Sequence, residues 1–248
     1  AWRAPILRAT RDIDLLACTR NDPAQVQAIL AEICRQPVPQ DGLLFDAATI
    51  TTERITEDAD YEGVRARFRG QLATTRLSMQ IDMGFGDVVT PQPIQITYPT
   101  ILDHSAPVLL AYNRETAIAE KLEAMISLGR LNSRMKDFFD IWLLATTSDF
   151  HGAELQAAIS ATFRRRATPL TPDPEVFGSE FAHDASKQSQ WAGFLKRMRP
   201  SNAPPRFPDA VDAVRALLEP IHAALAVGTP FDLVWKHPGP WKRSTSPE

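Results

Sequence analysis

Asp12 and Asp14 stand one residue apart in the stretch Arg8-Ala9-Thr10-Arg11-Asp12-Ile13-Asp14-Leu15-Leu16. The intervening Ile13 and the following Leu15 alternate with the acids, which predicts a β-strand over residues 12–18. On a strand, side chains at i and i+2 share a face, so the two carboxylates stand together, about 7 Å apart along the strand. Like charges at that spacing repel unless a cation lies between them. Magnesium suits such a pair, because it takes carboxylate oxygens and keeps positions open for substrate phosphates. An Asp-x-Asp also arises by chance in roughly half of chains of this length at ordinary Asp usage, so the pair needs company.

Company is present further along. A second alternating run, with Leu77, Met79 and Ile81, carries Asp82 on its opposite face and ends in Gly84-Phe85-Gly86. Asp12, Asp14 and Asp82 on adjacent strands could ring one or two metal ions, the arrangement that two-metal phosphoryl or nucleotidyl transfer requires. Such a transfer also needs cations converging on the phosphates. Lys121 flanks the apolar face of a helical stretch (Ile118, Leu122, Met125, Ile126), so it either snorkels or points into a cleft. Lys136, Asp137 and Asp140 are spaced i, i+1, i+4, which lets all three share one side of a second helix. They are either a surface ion pair or a purposeful cluster set among Phe138, Phe139, Ile141 and Trp142.

The elements that must position these residues follow from period and punctuation. Asp22-Pro23 reads as an N-cap and first helical position, followed by Val26, Ile29, Leu30 and Ile33 at helical spacing. Between Leu43 and Met83 the period becomes two. Leu43–Phe45 and Ala48–Ile55 read as short strands. Val64, Ala66 and Phe68 alternate with Arg65, Arg67 and Arg69, and this run forms an antiparallel hairpin with the Asp82 run. The four prolines from Pro91 to Pro107 read as a connector, with a domain boundary near residue 110. Beyond it helices are expected over Glu115–Leu128, Arg134–Leu144, Gly152–Arg166, Ser186–Met198 and Asp209–Ala226. His237–Glu248 is polar and Pro-rich and is expected to fray. The fold class is therefore α+β: a mixed sheet with flanking helices over residues 1–110, a helical domain over 111–236, and a flexible tail over 237–248.

Composition narrows the function. Lys plus Arg number 27 against 30 Asp plus Glu, a net charge of −3, which argues against bulk coating of nucleic acid by the whole chain. A local basic run (Arg65, Arg67, Arg69, with Arg164-Arg165-Arg166) is either a solvated face or a contact to RNA phosphates. Cys18 and Cys34 fit no metal or redox spacing, and the cytoplasm is the expected compartment. No apolar run reaches the length of a membrane span.

Four motifs together resemble the AbiEii/AbiGii-type nucleotidyltransferase toxin family. They are Arg-Ala-Thr-Arg-Asp-Ile-Asp-Leu-Leu at 8–16, Ile-Asp-Met-Gly-Phe-Gly-Asp at 81–87, Ala-Glu-Lys-Leu-Glu-Ala at 119–124 and Asn-Ser-Arg-Met-Lys-Asp-Phe-Phe-Asp at 132–140. The resemblance runs to about residue 225. It implies a nucleotidyltransferase-like α/β domain, then a helical domain, with the site in the cleft between them. It also implies a toxin of a bacterial toxin–antitoxin or phage-defence system, countered by an antitoxin encoded nearby. The implied chemistry moves nucleotides from an NTP to RNA, with the 3′ end of tRNA as the expected acceptor. By the same resemblance, Asp12 and Asp14 look like the metal-binding pair and Asp82 like the third sheet carboxylate. Lys121 looks like the triphosphate-binding lysine, and Asp137 like a base or positioning group for the attacking hydroxyl. Arg134, Lys136 and Asp140 support substrate binding. In the family a Gly-Gly or Gly-Ser turn precedes the Asp-x-Asp. None of the eleven residues before Asp12 is Gly. Alternative readings are therefore a catalytically weak or inactive binding protein on this scaffold, or a nucleotidyltransferase acting on a small molecule or a protein.

Overall fold

A computed structural model describes residues 13–38, 41–57, 61–100, 103, 105–200 and 202–243. The fold is α+β, as the alternation of periods implies, and the chain divides into two compact units that meet in sequence at Asp87/Val88. No helix among the described residues is long and apolar enough to cross a membrane.

The first unit is a four-stranded mixed sheet with one helix. Its strands are β1 (Ile13–Ala17), β2 (Leu43–Glu57), β3 (Tyr61–Leu72) and β4 (Thr75–Phe85), in spatial order β1-β4-β3-β2. β3 and β4 form the antiparallel hairpin expected from their matched alternation, with Ala66 opposite Ile81 and Val64 opposite Met83. β1 joins the far side of β4 in parallel. The two short strands expected before the hairpin are one long strand, β2, whose register with β3 shifts between Asp46 and Thr51. Helix α1 (Pro23–Cys34) starts where Asp22 caps it, accepting a hydrogen bond from the Ala24 N–H at 3.0 Å. Its Val26 and Leu30 pack on Ile50, Val64, Ala66, Phe68, Ile81 and Met83, which are the core of this unit. One sheet face is thereby apolar. The other carries the intervening residues Asp14, Glu53, Arg65, Arg67, Gln80 and Asp82, because side chains alternate along each strand.

The second unit is mainly helical. It opens with a two-stranded antiparallel ladder, β5 (Ile94–Thr97) and β6 (Val108–Ala111), in the stretch expected to be a bare connector. Hydrogen bonds tie this stretch to the next helix, and so the boundary falls before it rather than near residue 110. Thr116 exchanges two bonds with the backbone of Thr90, and the Asn113 side chain donates to the Pro91 carbonyl. Helices α2 (Arg114–Leu128), α3 (Met135–Thr147), α4 (Gly152–Arg165), α5 (Ser179–His183), α6 (Ala185–Met198) and α7 (Phe207–Ala226) follow. Their inward faces are those the periodicity picks out: Ile118, Leu122 and Met125; Leu155, Ile159 and Phe163; Val211, Val214, Leu217, Leu218 and Ile221. A small sheet of β7 (Phe150–His151), β8 (Leu233–Trp235) and β9 (Trp241–Arg243) closes the unit. β9 lies where fraying is expected. Trp241 holds it in place, with its ring against Phe231 and Trp235 and its indole N–H donating to the Leu217 carbonyl at 2.9 Å.

Candidate active site

On the sheet, β1 and β4 bring two of the expected carboxylates side by side. Asp14 is the register partner of Asp82, so both side chains leave the same polar face. Their surroundings differ. Asp14 is exposed and has no hydrogen-bond or ion-pair partner among the described residues. Asp82 is mostly buried and gripped by Arg65, its register partner on β3, through two parallel bonds of 2.7 Å from Nε and Nη2. Gln80 adds a longer bond at 3.3 Å. Bidentate guanidinium–carboxylate pairing is among the stronger polar contacts in proteins, and each Asp82 oxygen accepts one of its two bonds. Asp12 lies outside the described residues.

A hard divalent ion takes oxygen ligands and needs only one or two protein carboxylates when substrate phosphates complete its shell. The open carboxylate of Asp14 fits that role. Asp82 accepts two bonds on Oδ2 and one on Oδ1, which leaves Oδ1 a lone pair. Among the described residues, no three His, Cys, Asp or Glu side chains converge on one point. The ring of three carboxylates expected from the sequence includes Asp12, which lies outside those residues.

In the helical unit, Lys121 on α2 faces α3 rather than snorkelling to solvent. Its Nζ lies 3.0 Å from Asp137 Oδ1 and 3.1 Å from Asp140 Oδ2. Asp137 sits in the first turn of α3, where the helix dipole favours a carboxylate. Its other oxygen, Oδ2, lies 2.8 Å from Nε of Arg134. Asp137 is fully buried, whereas Lys121 is 22% and Arg134 32% exposed. The acid is therefore the hidden hub and the two cations keep outward surface. Burial works against the charge on Lys121, but the carboxylates of Asp137 and Asp140 outweigh it and hold the ammonium pKa above its ordinary value. Lys121 stays protonated, and its third N–H is not used by either acid.

The i,i+4 spacing of Lys136 and Asp140 does not become a contact. Asp140 turns to Lys121 across the helix pair, while Lys136 is exposed and makes no ion pair among the described residues. The loop before α3 is fixed by Asn132, which is fully buried and whose Oδ1 accepts the Arg134 N–H at 2.7 Å. Two residues here escaped the sequence reading. Arg65 was read only as part of a basic run, and its pairing needs the strand register to become visible. Lys187 stands on the apolar stripe of α6 with Trp191 and Phe194, and that placement was a usable signal.

Chemically, the helical cluster offers two cations pre-oriented by a buried acid, which is a means of holding a polyanion without reorganisation. A comparison with known families adds the decisive observation. The sequence model for the nucleotidyl transferase AbiEii toxin of type IV toxin–antitoxin systems matches residues 1–213. The chain belongs to this AbiEii family. No curated protein and no solved structure matches it. The AbiEii match spans both units, so it includes Asp14 and Asp82 on the sheet as well as Lys121, Arg134, Asp137 and Asp140 on the helices.

Proposed function

We propose that this AbiEii-family chain transfers a nucleotide from an NTP to an RNA acceptor, with the 3′ end of tRNA as the expected target, and that Lys121 and Arg134 bind the triphosphate. The observation that carries the reading is the fully buried Asp137 holding both cations, each with outward surface left. Lys121 contributes a positive charge and a third N–H that neither acid uses. Arg134 contributes a planar guanidinium suited to phosphate oxygens. Asp137 acts as a positioning residue. Its carboxylate has no exposed surface for a substrate hydroxyl, and its chemistry is to keep two cations aimed and charged. Asp140 shares the load on Lys121.

On the sheet, Asp14 together with Asp12 would hold one magnesium ion, which when bound supplies charge neutralisation to the phosphates. Asp82 is held on that face by Arg65. The antitoxin of the system would counter the resulting loss of RNA function.

The test is transfer of label from α-labelled NTPs, offered one at a time with magnesium and bulk tRNA. Wild type should label tRNA with at least one NTP, and Asp14→Asn should abolish labelling while leaving the fold intact by circular dichroism. Labelling undiminished in Asp14→Asn would remove Asp14 from the site. Absence of labelling with all four NTPs would overturn the proposal.

A further inference from the structure

Lys187 is buried, at 6% exposure, on the second unit's α6, and its ammonium makes no ion pair among the described residues. Its backbone N–H is held by the Asp184 cap at 3.0 Å, which sets the start of the helix. Its Nζ donates to two backbone carbonyls, those of Arg130 at 2.7 Å and Asn132 at 2.5 Å, and stands 5.3 Å over the Phe181 ring. Burying a lysine without an acid is costly unless its hydrogen bonds are met. Here they are met by carbonyls that have no partner within a regular helix, since both lie in the turn that leaves α2 and enters α3.

That turn is the support of the cationic cluster. Asn132, whose carbonyl Lys187 binds, uses its side chain to hold the Arg134 N–H. Arg134 contacts Asp137, and Asp137 contacts Lys121. A continuous path of polar contacts therefore runs from a buried ammonium on α6 to the two proposed phosphate-binding side chains.

We infer that Lys187 is a positioning residue for triphosphate binding: it clamps the α2–α3 turn so that Arg134 leaves that turn in the orientation Asp137 requires. The inference rests on the proposed phosphate-binding role of Lys121 and Arg134. It adds a residue in neither their helices nor their motifs. Lys187 acts through Arg134 and does not itself reach the ligand.

The experiment is calorimetric titration of the full chain with inorganic tripolyphosphate, an NTP's phosphate chain without its nucleoside. The variants are Lys187→Met, Arg134→Ala and the double variant, each checked by circular dichroism. Lys187→Met should raise the Kd about tenfold, and Arg134→Ala by a similar factor. The double variant should be no weaker than Arg134→Ala alone, because the clamp has nothing left to position. A structural role unrelated to Arg134 would multiply the two factors. If Lys187→Met does not fold, Lys187→Gln keeps an amide N–H donor for one carbonyl and should raise the Kd about threefold. Unchanged affinity in the folded lysine variant, or independent factors in the double variant, would overturn the inference alone. Failure of wild type to bind tripolyphosphate would overturn the phosphate-binding reading and this inference with it.

Discussion

Replacing Asp137 with Asn removes one negative charge from the centre of the cationic cluster and almost nothing from its shape. Losing one partner of a buried ion pair typically costs about 3–5 kcal/mol. Three features of this site lower the figure. Lys121 retains Asp140 at 3.1 Å, Arg134 is about one-third exposed and can rehydrate, and the Asn oxygen still accepts one hydrogen bond. The expected loss is about 2–3 kcal/mol, or roughly 4–12 °C in Tm for a chain of this size. Urea denaturation at pH 7, followed by far-ultraviolet circular dichroism, measures it. The pH dependence gives a second check. The pKa of Lys121 is raised on folding, so its pairing contributes fully below the unfolded lysine value near about 10.4. That contribution is lost as pH rises through the higher folded value. The gap between wild type and Asp137→Asn should thus be constant from neutral pH to about pH 10 and shrink above it. A loss under about 1 kcal/mol, typical of an exposed pair, would refute the buried-hub account. So would a gap that stays constant at high pH.

Other outcomes follow from the same geometry. Arg65→Ala strands the mostly buried Asp82 carboxylate and should cost about 1.5–3 kcal/mol by thermal denaturation, as for a hydrogen bond to a charged group. His222 is buried between Phe163 and Phe177, its Nε2 has no partner among the described residues, and burial lowers its pKa. Its contribution is therefore present above the unfolded value near about 6.5 and lost as pH falls below it. His222→Phe should flatten the decline in Tm between pH 7 and pH 5, and an unchanged slope would remove His222 as its source. A Cβ on Gly152 would stand 2.5 Å from the Phe231 carbonyl oxygen and 2.8 Å from that of Leu233. Gly152→Ala should therefore cost at least about 1–3 kcal/mol through overpacking, and a neutral change in chemical denaturation would contradict the packing of α4 on the small sheet.

The elements that carry the proposed site were legible because their signals are local. Asp22-Pro23 marks the start of α1, matched alternation marks the β3–β4 hairpin, and the apolar face of α2 gives both its ends to within a residue, while α3 starts within a residue of the expected position and runs three residues past the expected end. Pairing was less legible, because it depends on what stands across the gap between elements. Spacing put Lys136 and Asp140 on one side of a helix, but Asp140 meets Lys121 from a different helix. Spacing likewise put Arg65 on a basic face without revealing that strand register seats it against Asp82. Periodicity favours a snorkelling Lys121, and the packing of α2 on α3 turns it to Asp137 and Asp140 instead. β5, β6, β8 and β9 are three or four residues each, too short for alternation to register, and prolines surround them. For β9 the Trp241 side chain was the better guide, since a large aromatic amid polar residues gains by finding a core.

The most direct test of the central claim compares NTP labelled at the α-phosphate with NTP labelled at the γ-phosphate, using wild type and Lys121→Met with magnesium and tRNA. Nucleotidyl transfer cradled by Lys121 predicts that α-label enters tRNA, that γ-label does not, and that Lys121→Met slows incorporation by at least about 100-fold while remaining folded. Label entering from the γ-phosphate, or incorporation that Lys121→Met leaves unchanged, would contradict it.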